Sequence, residues 1–139
     1  MSQILQPPGW AKPKGYSNGI AVKGGTTVYI AGQVAFNASN ILEEKTFAGQ
    51  FRQTLKNTLA VLAEAGGRPE HIVRMTWYVT DKNEYLGAIR EVGAAYRELI
   101  GKHYPAMAVV QVGGLIEDQA KLEIETTAVI PDATSADAP

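Results

Sequence analysis

The sequence contains no cysteine and only two histidines, so several kinds of chemistry have no residues to carry them. Without cysteine there is no disulfide, no thiol nucleophile and no cysteine-bound metal, a composition that fits a reducing compartment. His71 and His103 are too few to form a histidine metal site. We therefore expect the protein to work with neither a metal nor another cofactor.

Net charge and long apolar runs are also scarce. The 139 residues include 13 basic and 14 acidic side chains, which give a net charge of -1. Such a chain has no broad positive field to attract a polyanion, so we expect no nucleic-acid partner. No stretch approaches the ~20 apolar residues of a membrane-spanning helix, and the N-terminus lacks the basic and apolar regions of a secretory signal. We expect a cytoplasmic protein that does not enter a membrane.

Three common catalytic and phosphate-binding motifs are absent, namely GxxxxGK[ST], GxGxxG and HExxH. These patterns mark phosphate-binding loops, dinucleotide sites and zinc-peptidase helices, respectively. Their absence argues against nucleotide-binding and zinc-peptidase functions. Residues 15–19, GYSNG, match GxSxG, but they lead into a predicted strand and not through the strand-to-helix turn of a serine hydrolase, so we do not expect a serine nucleophile.

The length and the 45% hydrophobic content are typical of one globular domain, which we place at residues 1–130. The remaining segment, 131–139, consists of small and polar residues between two prolines, so we predict a flexible C-terminal tail. Within the domain, alternation and helical spacing predict the order ββαβαββ. The predicted strands are 17–22, 27–35, 72–80, 106–112 and 121–129, and the predicted helices are 46–65 and 83–100.

Two details of this pattern specify the architecture. The pair Gly24-Gly25 predicts a hairpin turn between the first two strands. Two helices most simply pack together on one face of a mixed sheet, which gives an α+β fold. The strand 72–80, however, has bulky residues on both sides, which is unusual for a sheet face open to water. We therefore predict that further copies of the chain bury the uncovered face, with Glu123 and Glu125 at or near that interface.

Six fragments, in matching order and spacing, resemble the reactive intermediate deaminase (Rid, or YjgF) family over about residues 13–130. They are KGYSNGI, VYIAGQVAF, QFRQTLKNTLAVLAEAGG, IVRMTWYVTD, YPAM and KLEIETTAV. The resemblance implies a chorismate-mutase-like fold and a homotrimer with three ligand clefts between subunits. It also implies a deaminase that hydrolyses imines and enamines, such as 2-aminoacrylate, to 2-keto acids and ammonia.

The resemblance also implies particular site residues. By this match, Tyr16 and Glu123 are the catalytic residues. The substrate-binding positions are Ala31, Gly32, Gly93, Met107 and Val109. Met107 stands where the family has the arginine that grips the substrate carboxylate. An arginine–carboxylate contact contributes ~1.5 to 3 kcal/mol and methionine offers no donor, so a small 2-imino acid should bind more weakly here.

Several interpretations of these residues therefore remain open. The first is a trimeric hydrolase for an imine that is larger, neutral or more aromatic than the usual 2-imino acids. The second is a non-catalytic trimer that binds a small metabolite in the same clefts. Ribonuclease action, known for some relatives, is the least favoured, because the sequence shows no basic and aromatic patch. Arg74 is either a relocated anion anchor or, as we favour, a strand arginine paired with a neighbouring glutamate.

Overall fold

The computed structural model describes residues 2–133 of the chain and shows an α+β domain. The strands are β1 (Ser2–Leu5), β2 (Gly19–Val22), β3 (Thr26–Gln33), β4 (Ile72–Val79), β5 (Ala106–Gln111) and β6 (Leu122–Ile130). The helices are α1 (Phe47–Glu64), α2 (Lys82–Gly87) and α3 (Ile89–Leu99). Most of the predicted tail, from residue 134 onward, lies outside the described residues.

The main sheet has four strands in the order β3-β6-β4-β5. Strands β4 and β5 are parallel, whereas β6 is antiparallel to both β3 and β4. A parallel neighbour needs a crossover connection, which α2 and α3 provide between β4 and β5. This arrangement confirms the predicted mixed sheet and places β3 and β5 at its two opposite edges.

Side-chain alternation along β6 and β4 decides which residues enter the core. In β6, Leu122, Ile124, Thr126 and Ala128 are all buried under the helices, as predicted. In β4, Met75, Trp77 and Val79 point the same way and are also buried. The pairing shifts register between Ile72 and Arg74, so Ile72 rather than Val73 enters the core. Strict alternation with Met75, Trp77 and Val79 predicts Val73 on that side, which is wrong because a β-bulge reverses the alternation there.

Helix α1 begins and ends where its capping residues predict. The hydroxyl of Thr46 accepts a hydrogen bond from the Gly49 backbone N–H at 3.0 Å, which satisfies a free donor of the first turn. The helix ends before Gly66, whose φ of 79° is a left-handed conformation that favours glycine. Between these caps, Phe51 and Leu55 are fully buried against the sheet.

The second predicted helix is in fact two helices, α2 and α3, separated at Ala88. Asp81 caps α2 by accepting hydrogen bonds from the backbone N–H groups of Asn83 and Glu84. The backbone of Ala88 has φ -103° and ψ 11°, which departs from helical values and redirects the chain. Gly87, which precedes the break, is a weak helix former and reduces the cost of ending α2 there.

The predicted hairpin between the first two strands is wrong. Strand β2 pairs with β1, in a separate two-stranded sheet, whereas β3 pairs with β6. Gly24 and Gly25 still form a turn, both with positive φ, but that turn carries the chain from one sheet to the other. Strand β1 was not predicted because its four residues are all exposed and show no alternation.

The helices cover one face of the main sheet and leave the other face open in the single chain. On this bare face, Tyr29 is 81% exposed and Val110 is 41% exposed. Within residues 2–133, no helix has both the length and the apolar character needed to cross a membrane.

Candidate functional site

A cleft of about 550 Å³ opens between β5 and α3 on the helix-covered side of the sheet. Its walls are mainly aromatic and aliphatic, and two cations lie at its edge. The lining residues include Lys14, Tyr16, Trp77, Tyr85, Val92, Gly93, Tyr96, Arg97, Tyr104, Met107 and Val109. Four of the sequence-predicted site residues, Tyr16, Gly93, Met107 and Val109, therefore lie together in this cleft.

Tyr16 is held at the cleft by its neighbour, Ser17. The Ser17 backbone N–H donates to the carbonyl oxygen of Pro105 at 3.0 Å, and its hydroxyl donates to the carbonyl oxygen of Tyr104 at 2.5 Å. Ser17 is 7% exposed and forms a parallel bridge with Ala106. These contacts fix the segment beside the start of β5, with the Tyr16 side chain 41% exposed to a ligand.

Strand β5 contributes both side chains and a backbone donor. Met107 and Val109 pack toward the core from beside Met75 and Trp77. The N–H of Val112 donates to the carbonyl oxygen of Val79, in β4, at 2.9 Å, so this N–H points toward β4. Backbone groups alternate in direction along a strand, so the N–H of Val109 points to the open edge of the sheet. It is therefore placed to donate to a ligand whatever side chain residue 109 carries.

Aromatic rings form the floor and rear wall of the cleft. Trp77 contacts Phe51 edge-on, with ring centroids 4.9 Å apart, and lies 6.2 Å from Tyr96. Tyr96 stacks on Tyr104 at 5.8 Å and donates its hydroxyl to the carbonyl of His103 at 2.6 Å. Burial raises the pKa of Tyr96 well above its usual range, so it stays protonated and acts as a donor. Trp77 and Tyr96 are each only 5% exposed, so the ring surface open to a flat apolar group comes mainly from Tyr85 and Tyr104.

The remaining predicted residues, Ala31, Gly32 and Glu123, lie together elsewhere, on the bare side of the sheet. Glu123 is partly buried, and its carboxylate lies directly over Gly32. A Cβ atom at residue 32 would overlap that carboxylate and approach Cδ of Glu123 to 2.8 Å. The contact explains why glycine occupies this position and shows that Gly32 and Glu123 form one unit at the β3 edge.

The single chain does not bring the two groups together. Strands β3 and β5 are three strand spacings apart, a separation of about 14 Å. In addition, Glu123 projects from the bare face whereas Met107 packs on the helix side. One copy therefore presents half of the predicted site at each edge of its sheet.

Two further charged residues from the sequence analysis lie on the bare face, away from the cleft. Glu125 accepts a hydrogen bond from the hydroxyl of Tyr78 at 3.2 Å, and that bond raises the pKa of Tyr78. Arg74 borders a shallow depression with Glu125 and Thr76. Within residues 2–133 it forms no ion pair, so its predicted pairing with a glutamate is wrong. Neither residue touches the Met107 cleft.

The cleft also holds residues that were not predicted from the sequence, and Arg97 is the one with a guanidinium. It lies on α3 four residues after Gly93, so the two share a helix face. Gly93 has no Cβ atom, and an ideal Cβ built at that position would lie 3.3 Å from Arg97 Nη1. The i, i+4 spacing from Gly93 was the signal that could have identified it.

Comparisons with known proteins agree with this fold and its elements. The family model described as endoribonuclease L-PSP matches residues 10–130. A RutC family protein of Pyrococcus horikoshii is 30% identical over 92% of this chain and 98% of its own length. A 2-iminobutanoate/2-iminopropanoate deaminase of Escherichia coli is 32% identical over 76% of this chain and 80% of its own.

Among solved structures, the Rid family protein YyfB of Yersinia pestis superposes with a TM-score of 0.80 at 32% identity. This match covers 93% of the present chain and 98% of YyfB. RidA of a Psychrobacter species gives a TM-score of 0.66 at 32% identity, over 92% and 99% of the two chains. By its sequence match over nearly the whole domain and by its fold, the chain belongs to the Rid (YjgF) family.

Proposed function

We propose that the protein is a homotrimeric hydrolase of imines or enamines, with its active sites built between adjacent copies. The observation that carries this proposal is the division of the site. Tyr16 and the backbone N–H of Val109 lie at the β5 edge, and Glu123 lies over Gly32 at the β3 edge. Only a second copy can bring a Glu123 to the Tyr16 of the first, as a closed ring of identical subunits would do.

The bare sheet face gives independent support for assembly. It carries an 81% exposed tyrosine and a 41% exposed valine, Tyr29 and Val110, beside charged and hydroxyl groups. Burial of such a face by identical copies would remove apolar surface from water at ~25 cal/mol per Å². It would also shield Glu123 from bulk solvent and complete the clefts.

The proposed reaction needs only positioning and proton transfer. A water held by Glu123 attacks the imine carbon and forms a C–O bond, and the carboxylate takes one proton from that water. The π electron pair of the C=N bond moves to nitrogen, which takes that proton from Glu123. The proton of the new hydroxyl is then passed through Glu123 to the same nitrogen, the C–N bond breaks with its electron pair going to the departing ammonia, and the oxygen forms the carbonyl. Tyr16 and the N–H of Val109 hold the polar end of the substrate during these steps.

The lining of the cleft favours a substrate other than the usual small 2-imino acids. Met107 supplies no donor to a carboxylate at the position where the family has arginine, and Ala31 and Val109 add no polar side chain. Tyr85 and Tyr104, which line the cleft and are half-buried, offer flat apolar contact area. The substrate class proposed is an imine with an aromatic or otherwise bulky apolar body.

The second candidate function is binding without catalysis, in a trimer of the same fold. Met107 is the observation that favours it, because a weaker grip on the substrate also weakens the alignment that hydrolysis requires. Ribonuclease action finds little support in a chain with a net charge of -1.

A hydrolysis assay tests the first proposal. An amino-acid oxidase acting on phenylalanine or 2-aminobutanoate generates the aromatic or the small imine, and its disappearance is followed with and without the protein. We expect faster hydrolysis, larger for the aromatic imine, and its loss by ~100-fold or more in Glu123→Gln. Glu64→Gln, an exposed glutamate at the end of α1, serves as the matched control. If the protein accelerates the hydrolysis of neither imine, the catalytic proposal is wrong and binding without catalysis is favoured.

Light scattering tests the assembly. Val110→Lys adds a charge to the bare face, and Val61→Lys adds the same charge to the outer side of α1. The two valines are 41% and 42% exposed in the single chain, so the substitutions are closely matched. We expect a trimer mass for the wild type and Val61→Lys and a smaller mass for Val110→Lys. A monomeric wild type would contradict the proposal.

A further inference from the structure

The charges around the cleft point to the kind of ligand it holds. Two of its lining residues, Lys14 and Arg97, are cationic, and no aspartate or glutamate lines it within the described part of the chain. Arg97 is exposed and forms no ion pair among residues 2–133. By contrast Arg52, which also projects from a helix, pairs with Glu98. The cleft therefore has an unneutralised guanidinium at its edge.

Gly93 makes room for this guanidinium. An ideal Cβ at residue 93 would lie 3.3 Å from Arg97 Nη1, which is tighter than an ordinary van der Waals contact. The glycine is in the middle of α3, where it costs about 1 kcal/mol of helix stability relative to alanine. Its φ is not positive, so the backbone does not require glycine there. Space for the Arg97 side chain is the local reason that the structure offers.

We infer that Arg97 is the anion anchor of this cleft and that its ligand carries a carboxylate on an aromatic body. This inference rests on the proposed function and names its substrate class more closely. The guanidinium reaches the cleft from α3, on the wall facing Met107, and donates two parallel hydrogen bonds to a carboxylate. Lys14 adds a second positive charge at the same edge. The half-buried aromatic rings of Tyr85 and Tyr104, which line the cleft, take the body of the ligand.

Entry of the cation from α3 changes the orientation of the ligand. An arginine at position 107 would hold a carboxylate against β5, whereas Arg97 holds it toward the helix. The space beside Met107 and Val109 is then free for an apolar group. A small 2-imino acid cannot span from Arg97 to the β5 edge as well as a larger acid can. The guanidinium of Arg97 and the methionine at position 107 therefore both favour acids larger than the small 2-imino acids.

Binding of two stable probes, phenylacetate and phenylacetamide, tests the inference by titration calorimetry. They share an aromatic body and differ in the charge of the end group. We expect the wild type to prefer phenylacetate and Arg97→Gln to weaken phenylacetate binding by about 10- to 100-fold, without affecting phenylacetamide. Arg90→Gln, which removes the same charge from the exposed side of α3, should change neither. Arg97→Lys, which keeps the charge without the paired donors, should be intermediate.

A rescue variant adds a positive test. Met107→Arg in the Arg97→Gln background should restore phenylacetate binding, because it supplies a cation from the opposite wall of the same cleft. Unchanged phenylacetate binding in Arg97→Gln, equal weakening of both probes, or no phenylacetate binding by the wild type would each overturn the inference. Because these measurements need no turnover, they are separate from the hydrolysis assay. Arg97-dependent binding without hydrolysis would refute only the catalytic proposal.

Discussion

Gly32→Ala gives the sharpest test of the link between structure and proposed mechanism, because it displaces the Glu123 carboxylate, to which we assign catalysis, without removing it. The backbone at Gly32 has no positive φ, so alanine is compatible with the chain conformation. The added methyl group, however, would stand 2.8 Å from Cδ of Glu123, where ordinary contacts are 3.4–4 Å. The carboxylate oxygen, which is nearer still, must move aside.

The size of that movement sets the expected effect. Restoring normal contacts requires the carboxylate to shift by about 1 Å, and a misplacement of that size lowers a rate by about 100-fold. The effect on stability should be small. Glu123 is partly exposed and its end is flexible, so it can swing away, and replacing glycine by alanine favours folding by about 0.4–1 kcal/mol through the unfolded chain. We expect a change in unfolding free energy below about 1 kcal/mol.

The assay compares kcat for imine hydrolysis, urea unfolding and assembly mass in Gly32→Ala and Gly113→Ala. Gly113 has no positive φ and an added Cβ there meets nothing within 4 Å, so it is a matched control. We expect Gly32→Ala to lose kcat while it keeps its stability and mass, and Gly113→Ala to keep all three. Full activity in Gly32→Ala would refute the assigned role of Glu123. Loss of the trimer together with activity would show that the glycine serves assembly instead.

Three further predictions concern the residues that support the site. Gln50 is 2% exposed and accepts a hydrogen bond at 2.8 Å from the backbone N–H of Lys121, which directly precedes β6. Gln50→Leu leaves this N–H without an acceptor, so we expect urea titrations to show a loss of at least ~2 kcal/mol in the free energy of unfolding. Gln50→Glu should cost no less, because Gln50 Nε2 donates to the carbonyls of Glu44 and Gln119 and a buried carboxylate oxygen there would face both. Ser17→Ala removes the hydroxyl bond that anchors the segment beside β5, so we expect a higher KM and a stability loss of about 1 kcal/mol by the same titration. A KM equal to that of the wild type would argue against this anchoring. Burial lowers the pKa of His71 below its usual 6.5, and His71 Nδ1 accepts a hydrogen bond from the Arg68 N–H at 2.9 Å. Between the lowered pKa and 6.5, the unfolded state binds more protons than the folded state, so the free energy of unfolding should fall as the pH drops through that range. Urea titrations at pH 7.5 and 5.5 measure this fall, and His71→Gln should make it smaller.

Short-range features of this protein could be predicted from its sequence. The period of side chains along β6 placed Leu122 and Ile124 in the core, and the capping residue Thr46 set the start of α1. These features depend on neighbouring residues, whose geometry is nearly the same in any fold. The family resemblance, carried by ordered fragments, correctly implied a Rid fold, and the site residues that it implies stay predictions.

Other features were decided only by tertiary structure, because they depend on residues far apart in the chain. The partner of β2 is β1 rather than β3, and the choice is set by long-range pairing that the Gly24-Gly25 turn does not encode. The bulge at Val73 and the break at Ala88 likewise follow from packing against other elements.

The same distinction applies to the site. The sequence by itself determined which residue types were present, including a methionine at position 107 and a glutamate at position 123. Only the tertiary structure showed that these two lie two strands apart on opposite faces of one sheet and that Arg97 shares the cleft with Met107. The physical reason is that a cleft is formed by side chains from α3, β4 and β5, whose distances are fixed by packing of the core and not by spacing along the chain.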